Sequence, residues 1–237
     1  MIIAAVRTLA ALITVAVYVL LCGPPVLLWT VLSKDPRLIY HAGAAGISVG
    51  FALVGIRVRV IGQEHLQPAA VYACNHASNI EPPAVFLALR SLFPRVRVLY
   101  KAELRKLPVL VWVFDAAGFV PVERGNPGQS RPAVDQAASA LRAGNAFVIF
   151  PEGTRSRTGE LLPFKKGGFL MAIGAQAPIV PVAVTGAREA MRKGSPLIWP
   201  ATVTITLGSA IPTAGLTADN RDELIARVRQ SMQSLLA

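Results

Sequence analysis

The sequence predicts an α/β protein: a β-sheet covered by helices on both faces, behind an apolar helical amino-terminal segment. Three observations carry this. Short apolar runs alternate with helical patterns from about residue 57 onward, which is the signature of strand–helix units. From Thr8 to Leu32 no charged residue occurs, a length able to cross a hydrocarbon core as a helix. Hydrophobic residues make up 53% of the 237 residues and charged residues only 16%, too apolar for disorder and slightly too apolar for a purely soluble enzyme.

The amino-terminal third divides into two runs. Gly23-Pro24-Pro25 should kink or break the first. After the polar turn Lys34-Asp35-Pro36-Arg37, Leu38–Ile56 forms a second uncharged run. Gly43, Gly46 and Gly50 give it a small-residue face for close helix contact. Arg7 followed by Leu9–Leu21 imitates a signal peptide, but no small-residue cleavage site precedes the prolines. Two full spans would leave Lys34 and Arg37 outside, against the usual loop bias; one span, or a hairpin within one leaflet, avoids this. The second run also reads as a core helix of the globular part. The expected division is a membrane-associating segment over residues 1–56 and a globular domain over 57–237.

Within that domain, strands are predicted at Arg57–Ile61, Ala69–Cys74, Arg95–Tyr100, Gly118–Val122, Phe147–Phe150, Ile179–Val184 and Thr202–Leu207. Helices are predicted at Pro82–Arg90, Arg131–Ala143 (closed by Gly144), Phe164–Ala175 and Leu216–Leu236; Leu107–Phe114 reads as either. Leu224, Val228, Met232, Leu235 and Leu236 share one side of the last helix.

The net charge of +11 favours an anionic partner: nucleic acid, a membrane surface or a phosphorylated substrate. Nucleic acid is disfavoured, because no ribonucleoprotein motif, zinc finger or basic zipper appears. The two cysteines, Cys22 and Cys74, lack metal-ligand spacing and imply no disulfide framework; both read as inert apolar residues in a reducing compartment.

Two clusters point to chemistry. Of three histidines, His76 alone precedes a carboxylate, Glu81, by five positions. An imidazole can take up a proton near neutral pH, and a carboxylate can fix its tautomer. On a regular helix residues five apart lie about 140° apart around the axis, so the two can meet only outside one. Pro82 and Pro83 push the preceding residues away from the α region and predict a helix starting at or after Pro82. His76–Glu81 then forms the loop between a strand and a helix, where α/β proteins place active groups. The bland alternative is a capping box, Ser78-x-x-Glu81; it would put Pro82 at the fourth helical position and remove the first helical hydrogen bond. The second cluster, Phe150-Pro151-Glu152-Gly153-Thr154-Arg155-Ser156-Arg157, follows a predicted buried strand. Its backbone N–H groups and arginine fork suit phosphate; an ordinary turn with solvated arginines is the alternative.

Together these residues resemble the PlsC-like family of glycerolipid acyltransferases. Asn75, His76 and Glu81 match the family's N-H-x-x-x-x-D block, with glutamate in place of aspartate. Gly118–Arg124 matches its glycine–aromatic–arginine block, Phe150–Ser156 its F-P-E-G-T-R-S block, and Ile179–Ala183 its proline-bearing strand. Lys101-Ala102-Glu103-Leu104 with Pro108 resembles its lysine segment. The resemblance implies a mixed β-sheet flanked by helices and acyl transfer to a glycerolipid hydroxyl, the sn-2 position of 1-acylglycerol 3-phosphate first. It implies catalysis by His76 and Glu81, and a phosphate site from Arg124, Glu152, Gly153, Thr154 and Arg155 assisted by Lys101. No bound cofactor or metal is implied. Acyl-CoA or the acyl carrier protein would supply the chain, and a lysophospholipid would accept it. The expected location is the cytoplasmic face of the cell membrane, with Arg90, Arg95, Arg97, Arg105 and Lys106 toward anionic headgroups. Rival acceptors are glycerol 3-phosphate, an acylated amino lipid or a glycolipid. Rival classes are a lipid hydrolase, disfavoured by the missing G-x-S-x-G elbow, and a non-enzymatic membrane-binding module.

Overall fold

The computed structural model describes residues 1–123 and 127–237. Two long helices open the chain, α1 (Ile2–Ser33) and α2 (Arg37–Val54). Then come β1 (Ile56–Ile61), β2 (Val71–Cys74), α3 (Glu81–Ala88), β3 (Val96–Lys101), α4 (Pro108–Ala116), β4 (Val120–Val122) and α5 (Pro127–Arg142). The chain ends with β5 (Ala146–Ile149), α6 (Gly167–Ala175), β6 (Ile179–Thr185), the single turn α7 (Ala187–Ala190), β7 (Ala201–Leu207) and α8 (Arg221–Leu236). The ambiguous run at 107–114 is therefore helical, and α6 and α8 start later than their apolar pattern suggests.

The seven strands form one mixed sheet in the order β1-β7-β6-β2-β5-β3-β4. The five strands from β6 to β4 are parallel, while β7 runs antiparallel to β6 and carries β1 parallel to itself. β2 and β5 lie in the middle and are buried at every position, as expected of strands covered on both sides. The sheet tolerates Pro181 in β6 because the ladder with β7 begins at Val182↔Leu207, so no bond is lost on that side.

Successive side chains of a strand serve opposite faces. Tyr72 and Cys74 join a core with Tyr40, Phe51 and Val54 of α2 and Ala84 and Val85 of α3. Val71 and Ala73 join a second core with Leu141 of α5, Phe169 and Met171 of α6, and Leu224, Val228 and Met232 of α8. The second apolar run is thus partly a core helix: α2 roofs one face of the sheet.

α1 packs antiparallel on α2. Tyr18 lies over Gly46 and Val15 over Gly50, where an added Cβ would come within 2.9 Å and 3.0 Å of those side chains. The Tyr18 hydroxyl donates to the Ala42 carbonyl at 2.9 Å. The expected break at Gly23-Pro24-Pro25 does not occur; α1 continues through both prolines. Proline deprives a helix of an N–H but fixes φ at a helical value, so a helix held along its length can retain it. By length and composition both helices are apolar enough to cross a membrane. α1 leaves Leu20, Leu21, Leu28, Trp29 and Leu32 largely exposed.

Candidate active site

The carboxyl ends of the five parallel strands share one edge of the sheet, the usual position for a ligand site in an open α/β fold. His76 lies just beyond β2, at the centre of that edge. Its exit from the strand is fixed by Asn75, whose buried amide extends the ladder: Val184 N–H donates to Asn75 Oδ1 at 2.7 Å, and Asn75 Nδ2 donates to the Val184 carbonyl at 3.0 Å.

α3 begins at Glu81, one residue before the expected start. Pro82 and Pro83 fall in its first turn, where backbone N–H groups lack helical partners anyway, so neither proline costs a bond. A glutamate there is also favoured by the helix dipole. Ser78 does not form a capping box. Its hydroxyl donates to the Met191 carbonyl at 2.7 Å and accepts the Ile80 N–H at 3.2 Å. His76–Ile80 is therefore a loop, and the ring and the carboxylate meet: His76 Nδ1 is 2.8 Å from Glu81 Oε2. The Glu81 carboxylate, 1% exposed, also receives the Ala77 N–H, 2.9 Å from both oxygens. A carboxylate only accepts, so Nδ1 carries the proton and Nε2 offers its lone pair. Among the described residues no hydrogen bond reaches Nε2. The imidazole is partly open, and the Phe150 ring lies 4.5 Å from it, centroid to centroid.

The 150–156 turn follows β5, the neighbour of β2. Glu152 is 2% exposed and commits both oxygens to backbone: Oε1 accepts the His76 N–H at 2.6 Å, and Oε2 accepts the Leu162 N–H at 3.0 Å. Burial raises its carboxyl above the usual range, partly offset by these two N–H donors. Ser156 N–H donates to the His76 carbonyl at 2.7 Å. Both backbone polar groups of His76 are thus held by the second cluster. Gly153 adopts φ +70°, a conformation costly for residues with a Cβ, and its N–H closes the turn on the Phe150 carbonyl. Thr154 is exposed and Arg155 half-buried.

Lys101 ends β3, on the far side of β5 from β2. It is half-exposed and pairs with Glu103 at 2.9 Å. Arg124 lies outside the described residues, two positions after β4 ends. Of the basic residues expected to face headgroups, Arg97 is turned inward: its Nη1 donates to the Tyr40 hydroxyl at 2.7 Å and to the Pro94 carbonyl at 2.5 Å. Arg105 pairs with Asp115 at 3.0 Å. Two block residues given no role from sequence, and one residue outside every block, also contribute. Asn75 and Ser156 fix the loop, and Lys193, in the β6–β7 connection, donates from Nζ to the Arg155 carbonyl at 2.7 Å. Among the described residues no group of three or more His, Cys, Asp or Glu side chains could hold a metal.

The family model described as acyltransferase matches residues 57–185, which contain every block around the site. The chain is 34% identical over 177 residues to the 1-acyl-sn-glycerol-3-phosphate acyltransferase of Limnanthes douglasii, covering 74% of this chain and 62% of that protein. It is 32% identical over 190 residues to the human enzyme named 1-acyl-sn-glycerol-3-phosphate acyltransferase alpha, covering 76% and 64%. The chain therefore spans under two thirds of the length of these relatives. The crystal structure of the 1-acyl-sn-glycerophosphate (LPA) acyltransferase PlsC from Thermotoga maritima superposes with a TM-score of 0.80 over 98% of this chain and 95% of that one, at 24% identity. The mixed sheet, the ordered blocks and the extent of the match place this chain in the acyltransferase family.

Proposed function

We propose that this protein transfers a fatty acyl chain from a coenzyme A or acyl-carrier-protein thioester to the sn-2 hydroxyl of 1-acylglycerol 3-phosphate, giving phosphatidic acid. The observation that carries the reading is the His76–Glu81 pair, which engages Nδ1 and, among the described residues, leaves Nε2 without a hydrogen-bond partner beside a basic, glycine-containing turn. In this reading Nε2 removes the proton from the acceptor hydroxyl as its oxygen attacks the thioester carbonyl. Glu81 holds the ring and stabilises the imidazolium, the part an acid plays beside histidine in a serine-hydrolase triad. Collapse of the tetrahedral intermediate breaks the C–S bond, and the imidazolium returns its proton to the departing thiolate. A thiolate leaves readily, so a base and close positioning suffice without a covalent intermediate.

Arg155, Thr154 and the Gly153 turn, with Arg124 and Lys101, take the acceptor's phosphate. Glu152 belongs to the same cluster but acts through the loop, since a carboxylate with both oxygens on backbone N–H groups repels a phosphate rather than binding it. Residues 1–56 are the membrane-associating segment and 57–237 the acyltransferase domain, on the cytoplasmic face of the cell membrane. The exposed apolar side chains of α1 support this, because a lysolipid and its product both reside in a bilayer.

The test is transfer of a radiolabelled acyl chain from acyl-CoA to a panel of acceptors. Lysophosphatidate is expected to be the acceptor; transfer to another acceptor alone, or release of free fatty acid without one, overturns the reading. Arg155→Ala should raise the apparent KM for lysophosphatidate more than for the thioester, and equal effects would count against its phosphate role.

A further inference from the structure

We propose that Arg229, on the last helix, is a positioning residue for the catalytic loop, acting on His76 through one peptide group and Glu152. Arg229 lies 153 positions after His76 and in none of the family's blocks. Its guanidinium donates to two successive carbonyls, Leu161 at 2.8 Å from Nη2 and Leu162 at 2.7 Å from Nη1. The Phe164 ring lies 5.3 Å below it. Among the described residues no carboxylate pairs with it, so its fork serves this strap alone. The neighbouring Val228 and Met232 are fully buried and fix the helix that carries it.

The Leu161 carbonyl and the Leu162 N–H belong to one peptide group. Arg229 holds the oxygen end, and the N–H end donates to Glu152 Oε2 at 3.0 Å. Glu152 Oε1 in turn receives the His76 N–H at 2.6 Å. The guanidinium donates to the peptide oxygen, the peptide N–H donates to Glu152, and the His76 N–H donates to the other oxygen of the same carboxylate. Hydrogen bonds in such a chain polarise one another. A cation on the peptide oxygen strengthens the N–H as a donor to Glu152, and so favours the ionised carboxylate that His76 N–H requires. Removing the guanidinium frees the strap, weakens the hold on Glu152 and lets the His76 backbone drift, and displacements of about 1 Å at a reacting group can cost 10²-fold in rate.

This inference rests on His76 being the base, so one readout is independent of activity. Hydrogen exchange at the His76 amide should accelerate in Arg229→Ala while exchange in β2 and β5 stays unchanged. In acyl transfer, Arg229→Ala should lower kcat roughly 10- to 100-fold with KM for both substrates within about threefold. Arg229→Lys, a point charge able to reach one carbonyl, should recover part of the loss, and it carries the test if the alanine variant is unfolded by circular dichroism. Combining Arg229→Ala with Glu152→Gln should cost no more than the worse single change, because both cut one path. Unchanged kcat with only a lower melting temperature, an effect confined to one KM, multiplicative losses in the double variant, or unaltered His76 exchange would each overturn the role. If the wild-type chain transfers no acyl group yet the amide responds, the relay stands and the proposed reaction fails.

Discussion

His76 Nδ1 lies 2.8 Å from Glu81 Oε2, and the same carboxylate takes the Ala77 N–H on both oxygens. Glu81 is the first residue of α3, so its side chain reaches back over the loop to the end of β2. The extra methylene of glutamate, where the family has aspartate, spans that return. The carboxylate therefore orients the ring and ties the loop to the helix at once.

His76→Ala should leave the fold intact and lower turnover by about two to four orders of magnitude, the scale for loss of a general base. Glu81→Gln keeps the size but removes the charge that stabilises the imidazolium; the loss should be of similar order. Glu81→Asp shortens the reach by one methylene and cannot satisfy both His76 and Ala77, so kcat should fall about 10- to 100-fold. Steady-state kinetics with lysophosphatidate checks all three. Full activity in Glu81→Asp would mean that the loop relaxes and the methylene carries no geometry.

Much of this site is readable from local pattern. Pro82 and Pro83 place the end of the loop to within one residue, because their effect on neighbouring backbone is local. The strand before His76 follows from its apolar run. The destinations of polar atoms are not readable in this way. Asn75 bonds Val184, 109 positions later, and nothing near either residue announces the pairing. Glu152 has the letter of a substrate ligand, but its oxygens turn to Leu162 and His76, which depends on the return path of residues 157–165. Lys193 reaches the turn from an irregular connection without periodicity. The unbroken α1 reflects packing against α2, which local proline rules do not contain.

Gly153→Ala tests the turn. At φ +70° an alanine pays roughly 1–2 kcal/mol in backbone strain. Its Cβ would also sit 3.3 Å from Lys165 Cγ. The melting temperature should fall by a few degrees, and KM for lysophosphatidate should rise more than KM for the thioester. A fall in stability with both constants unchanged would count against the phosphate role proposed for the turn.

Tyr72 gives the fold an alkaline limit. Its ring is fully buried, and its hydroxyl donates to the Gln67 carbonyl at 2.7 Å and accepts the Gln67 N–H at 2.8 Å. Burial pushes its pKa from the usual 10.0 up to about 12. A folded pKa above the unfolded one means that the contribution is complete below pH 10 and lost as pH rises from 10 to 12. The loss should be on the order of 2–3 kcal/mol. Tyr72→Phe should be about 1–3 kcal/mol less stable at pH 8, since it leaves the Gln67 backbone groups unpaired. The difference from wild type should shrink by pH 12. Denaturation at both pH values checks this; a constant difference would place the titration elsewhere.

The last prediction concerns how α1 meets the bilayer. Near its start, the Thr8 hydroxyl accepts the Ile198 N–H at 3.0 Å. Near its end, Leu27, Leu28 and Val31 line one apolar groove with Trp112 and Ala116 of α4. Thr8 and Leu27 are separated by about 29 Å of helix, close to the thickness of a hydrocarbon core. A helix that spanned the bilayer would have to carry the globular domain across with it, since the domain touches both ends. α1 should therefore lie in one leaflet, presenting Leu20, Leu21, Trp29 and Leu32 to lipid. Trp112, 58% exposed, and Trp199, 41% exposed, flank its two ends and should also reach the interface, where indole rings favour the headgroup level. With Cys22 replaced by serine, cysteines at Ile3 and at Lys34 should both react with a membrane-impermeant maleimide from the same side of sealed vesicles. Cys74 should stay silent, because burial both shields its thiol and raises its pKa. Brominated lipids should quench single-tryptophan variants retaining Trp29, Trp112 or Trp199. Labelling of Ile3 and Lys34 from opposite sides would establish a span and require α1 to leave the surface on which Thr8 and Leu27 now rest.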